Sequence, residues 1–202
     1  MPTVRPRTLA LGLLPFALGS AAQPMVPSLH LDLVTAQGDF RNEMGSKLGL
    51  GAGLSLTIPM NSTLAFRPML SFQSFPTLDS QYTYKSARYS DRGDEEARWN
   101  AWTYGADCLY RPGGPQGSLY FLAGVYLKVW KLHSFGTYTT QDSLNATRTY
   151  SVDDTSTKDE PAVALGLGYT LSRHISLEAR SVFASYRSLS YNTLEMAFVL
   201  NY

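Results

Sequence analysis

Large apolar residues recur at every second position in eight separate stretches of the chain, with small or polar residues between them. A two-residue period is the signature of a strand that has one apolar and one polar face. The stretches fall at about 28–35, 46–58, 63–73, 101–110, 118–130, 161–170, 174–186 and 194–202. In the first, Leu29, Leu31 and Leu33 alternate with His30, Asp32 and Val34. The last sets Leu194, Met196, Phe198, Leu200 and Tyr202 against Glu195, Ala197, Val199 and Asn201. No convincing amphipathic helix interrupts the series. Pro68 stands inside the third stretch, where its missing N–H predicts a bulge or distortion.

Alternation alone does not say which face points inward, because a soluble ligand-binding barrel would put its apolar face inside. Volume favours the opposite arrangement. An eight-stranded barrel encloses a space just wide enough to be filled by side chains. Gly49, Gly51, Gly53, Gly105, Gly124, Gly166 and Gly168 all lie on the polar face, the one that suits a narrow lumen. The apolar face carries no charged residue across the eight stretches, and Arg98 and Lys131 lie just beyond two of their ends. Arg or Lys at a bilayer midplane costs roughly 2–4 kcal/mol, falling toward the interfaces. The predicted fold class is therefore all-β, an eight-stranded antiparallel up-and-down transmembrane β-barrel with its apolar face toward lipid.

The connections fit that reading. With the amino terminus in the periplasm, short periplasmic turns fall at 59–62, 111–117 and 171–173. Outer loops fall at about 36–45, 74–100, 131–160 and 187–189, and two of them are long. Phe66, Tyr110 and Tyr169 near the turn ends, with Phe72, Trp102 and Phe183 near the outer ends, predict two aromatic girdles. The start of the chain places Arg5 and Arg7 before an apolar run from Thr8 that exits through Ser20, Ala21 and Ala22. Those are the parts of a secretory signal peptide over 1–22, cleaved near Ala22/Gln23, which leaves 23–202 as the barrel domain.

Composition changes the picture little. A net charge of +1 gives no argument for a nucleic-acid partner. A mean hydropathy of −0.14 is too polar for a helical membrane protein but natural for a barrel, in which every second residue meets lipid. Cys108 is the only cysteine, so neither an intramolecular disulfide nor a Cys-based metal site can form within one chain.

The final strand, with its uncharged face of Leu194, Met196, Phe198, Leu200 and Tyr202, resembles the closing strand of bacterial outer-membrane barrels. The whole chain after residue 22 is similar in pattern to the small eight-stranded family that includes the membrane domain of outer membrane protein A and its porin-like relatives. That resemblance implies a bacterial outer-membrane location and contact with outer-membrane lipid. It also implies recognition by the barrel-assembly machinery, with Phe198, Leu200 and Tyr202 as the assembly signal.

Candidate chemistry is sparse. The lumen face carries His30, Asp32, Lys47, Arg67, Asp107, Lys128, Glu178, Arg180 and Glu195. Mixed charges in a poorly hydrated space are expected to pair, since an uncompensated buried charge costs several kcal/mol. The expected result is a network that plugs the barrel, and the alternative is a narrow porin-like channel for small solutes. His174 and Ser176 are two apart and share a face, the spacing at which His can activate Ser. They resemble the His-x-Ser pair of lipid A deacylases, but Leu177 replaces the Asn that follows there, and the pair lies on the lumen face after a turn. They are read as a strand-start His and a lumen Ser, and no catalytic residue is assigned. Gly49-Leu50-Gly51-Ala52-Gly53 runs straight through a strand and is read as packing, not as a phosphate loop. Asp153, Asp154, Asp159 and Glu160 lack EF-hand spacing and are read as a solvated loop. No metal or cofactor is expected. The functional expectation is a non-enzymatic barrel with a structural or surface-interaction role, meeting a surface ligand through its outer loops.

Overall fold

A computed structural model describes residues 24–44, 48–85, 89–114, 118–142, 146–186 and 189–202. In chain order the elements are β1 (Val26–Ala36), α1 (Gly38–Met44), β2 (Leu48–Pro59), β3 (Leu64–Ser74), β4 (Leu78–Lys85) and β5 (Tyr89–Tyr110), followed by β6 (Leu119–Asp142), β7 (Thr147–Ser172), β8 (Ile175–Tyr186), β9 (Leu189–Ser190) and β10 (Thr193–Asn201). Eight of the strands form a closed antiparallel ring, in the order β1-β2-β3-β5-β6-β7-β8-β10, and β10 pairs back onto β1. Closure satisfies the edge N–H and C=O groups, which hydrocarbon cannot do. β4 and β9 lie off the ring as additions to β5 and β8.

Register keeps like faces together. Leu31 pairs with Phe198 and Asp32 with Ala197 across the closing seam, and Leu54 pairs with Leu70 between β2 and β3. The apolar face is outside: Leu50, Val125 and Met196 are 64%, 66% and 60% exposed, while Asp32, Asp107 and Glu195 are buried. That exposed belt is the lipid-facing surface of a membrane barrel.

Two stretches expected to be loops are strands. β5, β6 and β7 have 22, 24 and 26 residues, where a spanning strand needs about 9–11. Their excess pairs continuously, from Trp99↔Leu132 to Tyr89↔Asp142 and from Trp130↔Lys158 to Gln141↔Thr147. At a rise of ~3.3 Å per residue this carries the sheet roughly 40 Å beyond the barrel wall, and β4 extends it sideways. The loop expected over 36–45 contains α1 instead of irregular chain. Pro68 produces no bulge. It pairs with Ala106 of β5 in an unbroken ladder, and on the β2 side pairing stops after Ser55↔Met69 and resumes at Ile58↔Phe66 in the same register. The missing N–H costs a local gap only. The register shift lies between Thr170 and Ser172, where β7 meets β8.

Candidate functional site

The strand pleat aims alternate residues of all eight ring strands into one lumen, and the sequence supplies mostly polar residues at those positions. Arg67 of β3 lies three residues from the turn end of its strand. Its Nε and Nη2 donate to Asp107 Oδ2 at 3.1 and 2.7 Å. Its Nη1 and Nη2 donate to Glu178 Oε1 and Oε2 at 2.5 and 2.9 Å. One guanidinium thus ties β3 to β5 and to β8 with charge-assisted bonds. Tyr120 donates to Glu178 at 2.7 Å, and Tyr126 donates to Asp107. The rings fit because Gly168 faces Tyr120 and Gly124 faces Tyr126; a Cβ at either glycine would overlap the ring it faces.

A second group adjoins it. Lys128 Nζ donates to Glu195 Oε1 at 3.0 Å and to Gln73 and Thr193 at 3.2 Å each. Gln73 Nε2 also donates to Glu195 Oε1, at 2.8 Å. Arg180 Nε donates to Glu195 Oε2 at 2.8 Å, and its Nη2 lies 3.8 Å from Asp32 Oδ1. His30 Nε2 contacts Ser55 Oγ at 2.6 Å. All these charged side chains are at most 3% exposed. Lys47, the remaining lumen residue expected from the sequence, lies outside the described residues.

Aromatic rings cluster at the loop end. Phe40 of α1 is fully buried, with its ring centroid 4.8 Å from Trp130, 5.3 Å from Phe75 and 5.6 Å from both Trp99 and Tyr191. The edge-to-face contacts with Trp130, Phe75 and Trp99 add to the apolar burial. Asp39 latches the helix to β9: Ser190 N–H and Oγ–H donate to its Oδ2 at 2.8 and 3.0 Å, and Asp39 N–H donates to Ser190 Oγ at 3.2 Å. Those two donors hold the Asp39 carboxyl below the usual carboxylate range. Gly38 permits the approach. Its φ is +60°, and a Cβ there would strike the Ser190 hydroxyl.

The sequence does not predict this aromatic cluster. It also placed Glu160 in a solvated loop, whereas Glu160 is buried and accepts from Trp130 Nε1 at 3.0 Å. Asp153, Asp154 and Asp159 are exposed on β7, Asp153 contacts His133 at 2.7 Å, and no metal-binding group occurs among the described residues. The one available signal was the Trp130 and Trp99 pair flanking expected strand ends. His174 is exposed in the β7–β8 turn, with Nδ1 3.0 Å from the Asn201 carbonyl, while Ser176 is buried and accepts from Asn201 Nδ2 at 3.3 Å.

A closed ring of eight antiparallel strands, apolar outside and charged within, defines a small transmembrane β-barrel of the bacterial outer-membrane type. No family model matches the chain, and no curated protein matches it in sequence. Among solved structures it is similar to Ail, the attachment invasion locus protein of Yersinia pestis, at 12% identity and a TM-score of 0.46, covering 88% of this chain and 97% of that one. It is also similar to Neisserial surface protein A, at 14% identity and a TM-score of 0.48 over 90% and 98% of the two chains. The N-terminal β-barrel domain of Pseudomonas aeruginosa OprF gives 11% identity and a TM-score of 0.40 over 87% and 97%.

Proposed function

We propose that this chain is a non-enzymatic outer-membrane barrel whose lumen is plugged, acting as a structural or surface-interaction protein. The observation that supports the plug is the Arg67–Asp107–Glu178 cluster, buried inside the lumen toward its turn end, with the Phe40 ring cluster at the loop end. A solute path would have to break both charge-assisted bonds and aromatic packing. The remaining working surface is the projecting sheet. β4 pairs with β5 alone, and the Thr147–Thr157 part of β7 pairs with β6 alone, so both sides of that sheet present unpaired backbone groups among the described residues. Such edges take up extended segments of other chains, which is the chemistry of a protein ligand at the cell surface. Lipid covers the apolar belt, residues 1–22 are removed on export, and the barrel-assembly machinery receives the β10 end.

Planar-bilayer recording of the purified barrel tests the plug. Closed traces with at most brief, small openings are expected; sustained nanosiemens conductance would establish the channel instead. Replacing Ser176 with Ala is expected to leave the lipid A profile of a producing strain unchanged, and loss of an acyl-cleavage activity in that variant would overturn the non-enzymatic reading.

A further inference from the structure

The turn end of the lumen differs from the rest in its charge. A cavity of about 280 Å³ opens there, lined among others by Thr57, Thr63, Arg111, Thr170, Arg173 and Asn201. At ~30 Å³ per water it has room for about nine waters. No carboxylate side chain lines it among the described residues. Deeper in, Glu178 is already taken by Arg67 and Tyr120. Among the described residues, two arginines therefore face a mouth without a side-chain counter-charge, whereas Arg67, Lys128 and Arg180 farther up the lumen each have a carboxylate partner.

Arg111 is also held in place. Its N–H donates to the Thr63 carbonyl at 2.7 Å and its carbonyl accepts from Gly114 N–H at 3.0 Å. Its guanidinium carbon lies 5.2 Å over the Tyr120 ring centroid, a cation–π contact, and Tyr120 is itself fixed by Glu178 and by the space at Gly168. Despite this support, Arg111 Nε is buried with no hydrogen-bond partner among the described residues, and so is Thr170 Oγ1 on the lining of the same cavity. A rigid planar donor set, a free hydroxyl and a second cation, in a cavity without acids, match an oxyanion.

We propose that this vestibule binds a phosphate group, free or carried by a phospholipid headgroup, with Arg111 as principal donor and Thr170 and Arg173 completing the site. The binding does not depend on the plugged-lumen reading, since the cavity lies outside the plug. The test is titration of the full folded barrel with inorganic phosphate, in non-ionic detergent free of phospholipid, followed by calorimetry. Saturable one-to-one binding is expected, weakened at least tenfold by Arg111→Gln and several-fold by Thr170→Val, and unchanged by Arg41→Gln in α1 at the other end of the barrel. Heat-modifiable migration reports whether each variant is folded; where Arg111→Gln is not, Thr170→Val carries the comparison. Repetition in phosphatidylglycerol nanodiscs separates the sources. Loss of the phosphate signal there supports the headgroup, and its persistence supports free phosphate. No saturable binding to the wild type in detergent, or equal binding by both vestibule variants, would overturn the site.

Discussion

Phe40 meets Trp130 edge-on, with ring centroids 4.8 Å apart, and so joins a seven-residue helix to the inner wall of the barrel. Strand pairing does not require this contact, because the ladders on both sides of β1 and β6 are complete without it. Phe40→Ala is therefore expected to leave a folded, heat-modifiable barrel and to open its loop end. A buried Phe→Ala change costs about 3–5 kcal/mol in a closed core, and the helix can avoid part of that by swinging away. Trp99 and Trp130 then meet water, and a red shift of tryptophan emission is the expected readout. Emission identical to wild type would mean that Phe40 does not shield them.

Arg67 governs stability more deeply. Arg67→Ala leaves Asp107 and Glu178 buried without their cation, a change that costs about 3–5 kcal/mol in comparable sites. The urea midpoint for loss of the folded gel band is expected to fall clearly. Arg67→Met combined with Asp107→Asn and Glu178→Gln removes both signs together and is expected to recover a substantial part of the loss. An unchanged midpoint in Arg67→Ala would show that the cluster fills space without holding the strands together.

The Asp39 latch carries a pH dependence of definite sign. Its carboxyl is depressed because Ser190 donates from both its backbone N–H and its hydroxyl to the ionised form. A depressed folded value means the stabilisation is complete above the ordinary carboxyl range, about pH 4, and is lost as pH falls through the depressed value below it. Exchange of the Ser190 amide is the local probe. Protection is expected at pH 5–7 and a loss of protection, corrected for intrinsic rates, on acidification below the carboxyl range. Asp39→Ala should remove the protection at neutral pH. Protection that persists in that variant would mean the latch does not hold α1.

The barrel was legible because a bilayer and a filled lumen impose opposite demands on alternate residues. Leu194, Met196 and Phe198 had to be apolar while Glu195 had to find Lys128 and Arg180, and that contrast is written with period two. Beyond the membrane the contrast disappears. Residues 147–155 are exposed on both faces, so Thr149 pairs with Thr139 of β6 without any apolar partner face. Their abundance of Thr and Tyr was the remaining strand signal. The lumen residues were readable as a face, but the choice of partner was not, because it depends on strand stagger and on which ring a glycine admits. The Phe40 cluster was invisible for a different reason. A single aromatic residue in a short polar segment has no period, and its role exists only where Phe75, Trp99, Trp130 and Tyr191 converge.

Tyr202 follows the last strand on its lipid side. It is 74% exposed, and its N–H donates to the Pro27 carbonyl at 3.0 Å, one step beyond the Ser28↔Asn201 pair that starts the closing seam. Phe198 lies on the same outward face and Leu200 continues it. A tyrosine is suited to that boundary, since its ring rests against apolar surface while its hydroxyl stays wet. Closure of β10 on β1 is compulsory in lipid, so whatever delivers this end determines whether the barrel forms. Tyr202→Asp places a charge at the edge of the apolar face and removes the aromatic ring, while leaving every lumen contact intact. The expected outcome is a several-fold loss of heat-modifiable protein from the outer-membrane fraction, with unassembled chain accumulating in the periplasm. Tyr202→Phe separates the ring from the hydroxyl and is expected to assemble normally. Refolding of purified Tyr202→Asp into detergent micelles is expected to succeed, because the defect lies in delivery and not in the stability of the ring. Normal outer-membrane amounts of Tyr202→Asp would show that the Phe198–Tyr202 end is not the assembly signal.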